Sequence, residues 1–593
     1  MLKKLVRALL RRAGESGSAS ADAEIVVAPD RLHVCTARAA EHAAAGGHAA
    51  AAQLYRESLE LQPQDARVWC NLGAELGAIG QADEAERVYR RALELDPALA
   101  EAWYNLGRLL QEQGRVAEPE NCYRAAAALV DAGANQPLWQ LIYNNWGLLL
   151  YNQGRPQEAV ALYRDALVLH AQASDLGSNL LFTLNSLPGL DPEAVTAEHL
   201  AWGARHADRF APAQAEFANS AEPHRTVRVG YVSADFRRHA VAFYMEPVLR
   251  KHRRDRFEVY CYSNWAKPDD VTEQFRGLCD RWRDIAGVDD AMAAQMVRDD
   301  RIDILVDLSG HTEGNRLLLF ARKPAPIQVT YMGYLGTSGM AAMDLRITDP
   351  HIDPVGVAEP LYRERLLRLP HGIICYQPPP DAPQVPALPA LQRGHVTFGS
   401  FNSFPKLTEA TQRVWARLLA RLPGARLRVV SAPAGEACDR MLAIFESEGV
   451  FANRIDVLGR MPYRAYLEQY LQVDIALDPY PYNGGTTTLE SLWMGVPVIS
   501  RAGLAGFSRC GASHLSNVGL DNLIAGSWEE YTDIALRLAG DLPRLAALRA
   551  GLRARMRDSP LLDASGFAAG LEALYRQAWQ EWCAGKARGG QAC

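Results

Sequence analysis

The apolar and small residues in the first third of the chain recur every 34 positions. Trp69 and Trp103 keep this interval, and so do Tyr55, Tyr89 and Tyr123. A period of this length predicts stacked helical hairpins, because each pair of helices must bury one face on its neighbour. Further pairs with the same interval are Gly73 with Gly107, Gly80 with Gly114, and Pro63 with Pro97.

The interval then lengthens to 40 residues, as between Gly107 and Gly147. The extra residues fall in the stretch DAGANQPLWQ, where Gly133 and Pro137 predict a loop. The array resembles tetratricopeptide repeats and is predicted to hold about four of them between residues 34 and 170, followed by a helical bridge. Its concave groove favours protein or peptide binding, with a structural spacer or a dimer surface as the alternative.

From Val227 onward, short runs rich in Val and Ile alternate with amphipathic stretches. Strands that alternate with helices predict parallel sheets covered on both faces. The Pro-rich stretch at residues 377–389 separates two such halves, which predicts two doubly wound lobes with a ligand cleft at the carboxyl ends of their strands. The predicted strands are VRVGYVS, FEVYCYS, IDILVDL, IQVTYMG and LRITD, then VTFGSF, ARLRVVS, IDVLG, VDIALD and PVIS.

The fold class is therefore multidomain, with an all-α solenoid ahead of two α/β lobes. We predict a flexible basic tail at residues 1–30 and the repeat array with its bridge at residues 31–215. The N-terminal lobe is predicted at residues 225–380 and the C-terminal lobe at residues 390–580.

Composition narrows the classes of partner and the compartment. A net charge of −6 argues against a nucleic-acid partner, which needs a basic surface. The ten cysteines lack the spacing of a zinc site and are typical of a reducing compartment. Arg7 interrupts the apolar start of the chain, and no run of about 18 apolar residues is present to form a transmembrane helix. We therefore expect a cytoplasmic protein.

The segment at residues 473–500 carries most of the chemical information. Its Gly-Gly-Thr-Thr-Thr turn opens a predicted helix, and free N–H groups, hydroxyls and the helix dipole suit a diphosphate there. Glu490 follows about one turn later, where a carboxylate can accept ribose hydroxyls. The alternative is a Thr-rich helix cap without a ligand. The absence of Walker A, GxGxxG and DxD motifs disfavours ATPases, dehydrogenases and metal-dependent transferases.

Residues 227–578 resemble the catalytic region of the protein O-GlcNAc transferase and Spindly family. The resemblance implies the two-lobed GT-B fold and inverting transfer of one sugar, from UDP-GlcNAc as first choice, to Ser or Thr hydroxyls of proteins. It also implies that the repeats hold the acceptor and that no metal or other cofactor takes part. The matching stretches are VRVGYVSADFRRHAVAFYMEP, DILVDLSGHTEGNR, RKPAPIQVTYMGYLGTSG, MDLRITD, VTFGSFNSFPKLT and PYPYNGGTTTLESLWMGVPVI.

The same resemblance assigns roles to individual residues. It places His239 beside the sugar, where it helps to position donor and acceptor. It pairs Lys406 with the diphosphate as negative charge develops on the leaving nucleotide. The implied donor-binding residues are Asn402, Ser403, Pro462, Tyr466, Gly484, Gly485, Thr486, Thr487 and Glu490, and those on the sugar or acceptor side are Asp235, His311, Asn315, Arg316, Gly336 and Thr337.

Three positions depart from the O-GlcNAc transferase pattern. Phe243, Tyr466 and Gly485 stand where that pattern has His. The mixture resembles the Spindly branch, whose plant members use GDP-fucose, so that sugar donor stays open beside UDP-GlcNAc. The pattern is also compatible with an adaptor that binds nucleotide sugar without turnover, or with a transferase acting on glycans or lipids. The general base and a homo-oligomeric state are left open.

Overall fold

The computed structural model describes residues 28–115, 117–130, 135–212 and 216–589. Residues 1–27 of the predicted basic tail therefore lie outside the described residues, and so does Gly133. Among the described helices, none is long and apolar enough to cross a bilayer. The chain forms two compact units: described residues up to Leu150 with Val168–Ala171 make the first, and Tyr151–Leu167 with the residues from Gln172 onward make the second.

The first unit is built from helical hairpins, as the 34-residue period predicts. Tyr55, Tyr89 and Tyr123 are all buried. A side-chain Cβ at Gly73 would lie 2.6 Å from Cε1 of Tyr89, so glycine allows the two helices of this hairpin to approach. The helices are α1 (Ala28–Ala44), α2 (His48–Leu61), α3 (Ala66–Ala78), α4 (Ala82–Leu95), α5 (Ala100–Glu112), α6 (Ala117–Leu129) and α7 (Gln136–Asn152).

The loop predicted at Pro137 is wrong, because Pro137 lies in the first turn of α7. Proline is tolerated there, since the first N–H groups of a helix have no partner within it.

The second unit begins with three helices and continues into two fully parallel sheets. The helices are α8 (Pro156–Leu169), α9 (Ser174–Leu184) and α10 (Pro192–Trp202). The last two residues of α8 belong to the first unit. The first sheet has strand order β3-β2-β1-β4-β5-β6-β7 and forms the first lobe. Its elements are β1 (Val227–Ser233), α11 (Ala240–Lys251), β2 (Phe257–Ser263), α12 (Asp270–Arg276), β3 (Arg281–Asp284), α13 (Asp290–Asp299), β4 (Ile304–Asp307), α14 (Leu317–Phe320), β5 (Ile327–Tyr331), β6 (Leu345–Thr348) and β7 (Arg365–Arg368).

The second sheet has strand order β10-β9-β8-β11-β12-β13 and forms the second lobe. All ten predicted strands are present, and the fold class is confirmed. The elements are α15 (Pro389–Arg393), β8 (Thr397–Ser400), α16 (Glu409–Ala420), β9 (Arg426–Val430), α17 (Glu436–Ser447), β10 (Ile455–Leu458), α18 (Tyr463–Gln469), β11 (Ile475–Leu477), α19 (Thr486–Trp493), β12 (Val498–Arg501), α20 (Cys510–Asn517), β13 (Ile524–Ala525), α21 (Trp528–Gly540), α22 (Leu542–Arg557) and α23 (Ala564–Gly589).

Helix α23, which includes the last residues of the C-terminal lobe predicted at residues 390–580, contacts residues that precede β1 and β2 of the first lobe. The Glu572 carboxylate accepts the Arg253 N–H at 2.7 Å, and the Trp579 indole donates to the Glu222 carbonyl at 3.1 Å. Tyr575 and Trp579 are almost fully buried. Helix α23 packs there because burying these aromatic side chains against an apolar surface stabilises the fold.

Each sheet reverses its winding at an internal pair of strands, β1 with β4 in the first lobe and β8 with β11 in the second. Open parallel sheets bind ligands beyond the carboxyl ends of strands at such switch points. The candidate residues that follow these four strands are therefore the ones expected to meet a ligand.

Candidate functional site

The second-lobe switch point brings several predicted donor-binding residues together. Asn402 follows β8, and its Oδ1 accepts the hydroxyl of Thr487 at 2.9 Å. A Cβ at Gly484 would lie 2.5 Å from Oγ1 of Thr487 and 2.8 Å from Oδ1 of Asn402, so this close approach requires glycine. Ser403, the next residue along, is exposed and begins the turn that leads to Lys406.

The amino end of α19 faces out of this turn. Gly485 precedes the helix, and within the described part of the chain no side chain caps it. The N–H groups of Thr488 and Leu489 bond to the Gly485 carbonyl, which leaves the earlier N–H groups directed beyond the helix end. Such an end attracts an anion, because the helix dipole and the free N–H groups act together.

Asp478 fixes the loop before α19, and the sequence analysis missed it. Its Oδ1 accepts the Gly484 N–H at 2.7 Å, and its Oδ2 accepts the Ser500 hydroxyl at 2.5 Å. Burial raises the pKa of the Asp478 carboxyl. The available signal was its place directly after the buried strand β11, at the edge where ligands bind.

Lys406 is a half-buried cation whose two direct contacts are neutral groups. Its Nζ donates to the Asn483 carbonyl at 2.8 Å and lies 3.9 Å from the centre of the Tyr482 ring. Burial lowers the pKa of Lys406, and the nearby Asp478 carboxylate opposes this shift. Lys406 forms no ion pair with any described residue. No group of three or more His, Cys, Asp or Glu side chains among the described residues is arranged to hold a metal ion.

Glu490 lies at the centre of a cluster of tyrosines. Its Oε1 accepts the Tyr463 hydroxyl at 2.7 Å, and its Oε2 accepts the hydroxyls of Tyr466 at 3.1 Å and Tyr470 at 3.4 Å. Burial raises the pKa of Glu490 to about 7. Tyr463 and Tyr470 were not predicted, whereas Pro462 is exposed at the start of α18.

The first-lobe switch point places His239 at the start of α11. Its Nδ1 accepts the Val241 N–H at 3.3 Å and lies 3.5 Å from Oδ2 of Asp235. Burial lowers the pKa of His239, so the ring is neutral near neutral pH. Tyr244, one turn further along α11, meets Oγ1 of Thr486 at 2.5 Å across the cleft. This contact brings the helices of His239 and of the Gly-Gly-Thr-Thr-Thr turn together.

Three predicted first-lobe residues do not join this group. His311 is fully buried, with Nδ1 3.0 Å from the Ser178 hydroxyl and Nε2 3.1 Å from the Ser338 carbonyl. Nε2 must carry the proton, because a carbonyl only accepts. Asn315 closes its own turn through the Thr312 carbonyl. The Arg316 guanidinium is bound to Asp290 and Asn264 and to the carbonyls of Ile285 and Val288.

Gly336 and Thr337 lie on a separate wall of the cleft. The Thr337 hydroxyl donates to Oε2 of Glu364 at 2.6 Å. Both residues line a cavity of about 180 Å³ together with Tyr480 and Phe507 of the second lobe. Their part of the first lobe therefore faces the second lobe directly.

Similar proteins are found both by sequence and by structure. The chain is 38% identical over 428 residues to the probable UDP-N-acetylglucosamine–peptide N-acetylglucosaminyltransferase SPINDLY of Solanum lycopersicum, covering 71% of this chain and 46% of that protein. The corresponding Arabidopsis thaliana protein is 40% identical over 420 residues, covering 69% and 45%. The chain thus spans about half the length of these curated relatives. A solved mutant of Thermobaculum terrenum O-GlcNAc transferase is 37% identical, with a TM-score of 0.81 over 88% of this chain and 98% of that one.

Family models match the same two parts of the chain. Tetratricopeptide-repeat models match residues 54–87, 75–114, 100–129 and 140–175. The model of glycosyl transferase family 41 matches residues 193–376 and 387–571, which is more than half of the chain. This protein therefore belongs to glycosyl transferase family 41, with tetratricopeptide repeats ahead of the two lobes.

Proposed function

We propose that this protein transfers one N-acetylglucosamine from UDP-N-acetylglucosamine to Ser or Thr hydroxyls of protein acceptors, with inversion at the anomeric carbon. The observation that carries the proposal is the pairing of Lys406 with the uncapped amino end of α19 at the second-lobe switch point. Supporting the donor, the curated relatives are named for UDP-N-acetylglucosamine, which favours it over GDP-fucose.

The diphosphate binds at the amino end of α19 and beside Lys406. A half-buried cation without an ion-pair partner gains from an anion that arrives next to it, because the cation has already lost part of its hydration. Charge on the leaving UDP grows as the glycosidic bond breaks, so Lys406 and the fixed N–H groups of α19 stabilise the transition state more than the bound donor. The protein itself therefore provides the positive charge that stabilises the leaving UDP, and the proposed reaction requires no metal or other cofactor.

The nucleoside occupies the surface formed by Glu490 and the tyrosines. Glu490 keeps acceptor capacity beyond its tyrosine bonds, since a carboxylate has about four lone-pair directions for hydroxyl donors. Tyr466 offers a ring face on which a base can stack.

His239 positions the acceptor hydroxyl at the sugar. A neutral imidazole takes up a proton only at an unprotonated nitrogen. Nδ1 is that nitrogen, since it accepts the Val241 N–H at 3.3 Å, so Nε2 carries the proton of the neutral ring and can donate to the acceptor oxygen. In this arrangement His239 orients the acceptor hydroxyl towards the sugar and does not itself take up the hydroxyl proton.

The repeat array is the proposed holder of the protein acceptor. Such arrays bind extended segments in a concave groove. This assignment favours a protein acceptor over a glycan or lipid, and the retained Lys406 and His239 favour turnover over an inactive adaptor. We also propose that the protein resides in the cytoplasm, as the cysteine pattern predicts.

A donor panel tests the proposal. The purified protein is incubated with cell lysate and either UDP-N-acetylglucosamine, UDP-glucose or GDP-fucose, and free nucleotide and acceptor mass are measured. We expect UDP release and addition of one N-acetylhexosamine to Ser or Thr with the first donor. Release of GDP alone would replace the donor assignment, and no release from any donor would contradict the enzyme.

A further inference from the structure

The segment at residues 334–340, hereafter the clamp loop, connects β5 to β6 without forming a helix or strand. Side chains nevertheless hold its backbone carbonyls. Arg346 Nη1 donates to the carbonyls of Tyr334 at 2.9 Å and Gly336 at 3.1 Å, and the Tyr362 hydroxyl donates to that of Leu335 at 3.1 Å. Further along, His311 donates to the carbonyl of Ser338 and Arg363 to that of Gly339.

Glu364 holds the centre of the clamp loop. Its Oε1 accepts the Ser338 N–H at 2.7 Å as well as the Ser338 hydroxyl, and its Oε2 accepts the Thr337 hydroxyl at 2.6 Å. Glu364 is only 4% exposed. Burying a carboxylate is costly unless its hydrogen bonds are complete, and here three donors converge on it. A simple connection between two strands does not require such a group.

The clamp loop lies against the second lobe and is linked to Lys406 through aromatic rings. A Cβ at Gly506 would lie 2.7 Å from the Leu335 carbonyl oxygen, so the two backbones are close. The Tyr334 ring contacts Phe507, the Phe507 ring contacts Tyr482, and Lys406 lies over the Tyr482 ring. Three rings in series therefore connect the clamp loop with the cation at the proposed diphosphate site.

We propose that Glu364 is a positioning residue for sugar transfer. It fixes the clamp loop so that the first-lobe wall of the cleft and the ring beneath Lys406 keep the geometry of the reaction. The inference rests on the proposed function, since it concerns the same cleft. A displacement of about 1 Å in such a site costs on the order of 100-fold in rate.

The substitution Glu364→Gln tests this role. A carboxamide turns one acceptor oxygen into a donor, so at least one of the three bonds to the clamp loop is lost. We expect kcat for transfer to fall about 10- to 100-fold while the donor KM changes less than about threefold. We also expect a higher ratio of donor hydrolysis to transfer, because a loosened wall admits water.

The matched control is Glu572→Gln. Glu572 is a buried carboxylate that accepts a backbone N–H from Arg253 and contacts His252, but it lies on α23 away from the clamp loop. We expect this control to lose thermal stability with kcat unchanged. Amide hydrogen exchange should accelerate at residues 334–340 in Glu364→Gln and not in the control. If Glu364→Gln does not fold, Ser338→Ala removes one donor and should give a smaller loss of kcat in the same direction.

The outcomes separate this inference from the proposed function. Absence of UDP release by the unaltered protein would overturn both. Release by the unaltered protein with equal kcat in Glu364→Gln, or an equal loss of kcat in Glu572→Gln, would overturn the positioning role alone.

Discussion

The two switch points of the second unit use their polar residues in opposite ways. In the second lobe, Lys406 contacts only a carbonyl and a ring, and α19 has no capping side chain among the described residues. In the first lobe, the N–H groups of His311 and Arg316 donate to backbone carbonyls and to the Asp290 carboxylate of the same lobe. The difference teaches that a polar residue near a strand end indicates a ligand site only if the side chain can still form hydrogen bonds or ion pairs beyond those within the protein.

This contrast follows from the cost of burial. A buried polar group that is fully bonded stabilises the fold and has little bonding capacity left for a ligand, whereas a half-buried cation without an ion pair is held at a cost that an anion can relieve. His239 lies between these extremes, because it caps α11 yet remains half-buried. The predictions below test whether open capacity, rather than place in the sequence, decides which substitutions affect turnover.

The largest effect is expected for Lys406→Ala. Loss of the cation removes charge stabilisation that grows in the transition state, so kcat should fall about 100- to 1,000-fold while UDP affinity falls less. Steady-state UDP release and calorimetric titration measure the two quantities. The control is Lys323→Ala, since Lys323 is a half-buried lysine paired with Asp344 in the first lobe. Near-normal kcat in Lys406→Ala would mean that the diphosphate is stabilised elsewhere.

A smaller effect is expected for Glu490→Gln. The amide keeps the shape but weakens bonds from hydroxyl donors, so affinity for UDP should fall about tenfold, the worth of one hydrogen bond to a charged group. Titration with UDP and with inorganic pyrophosphate measures the change. Affinity for pyrophosphate should be unchanged, and an equal loss for both ligands would assign Glu490 to the loop rather than to the ribose.

The pH dependence of UDP affinity should be bell-shaped. Burial raises the pKa of Glu490 to about 7, so its ionised form is lost as pH falls through that value. Burial lowers the pKa of Lys406, so its charge is lost at lower pH than for an exposed lysine. Titrations from about pH 6 to about pH 10 cover both limbs. Glu490→Gln should remove only the acid limb and Lys406→Met only the alkaline limb; retention of either limb would reassign it.

The smallest effect on turnover is expected for Arg316→Met. The guanidinium is bound within the first lobe, so its loss should lower the free energy of unfolding by about 3 kcal/mol and leave kcat of the folded protein within about twofold. Urea unfolding and UDP release measure the two changes. A full loss of kcat with unchanged stability would place Arg316 at the substrate and break the contrast between the lobes.

The order of repeats and lobes was predictable because the repeats keep a 34-residue period and the buried central strands are continuous apolar runs. The edge strands β3, β7 and β13 were missed, since RWRD and RLLR are short and carry charged ends, and β13 has only two residues. Such strands form because a neighbouring strand is already in place.

The candidate site was predictable only where the sequence itself holds the geometry, as in the Gly-Gly-Thr-Thr-Thr turn. The roles of Asp478, Tyr463, Tyr470 and Glu364 depend on residues distant in sequence that the fold brings together. The same holds for His311, whose partners Ser178 and Ser338 lie on other elements. A local motif identifies a polar side chain, and the tertiary structure decides whether its bonds remain open.

A crystal structure of the protein with bound UDP tests the central claim most directly. We expect the diphosphate within hydrogen-bonding distance of Lys406 Nζ and of the backbone N–H groups at the start of α19, with the ribose beside Glu490. Density for the diphosphate at the first-lobe switch point, with Lys406 still on the Asn483 carbonyl and Tyr482 ring alone, would contradict the account.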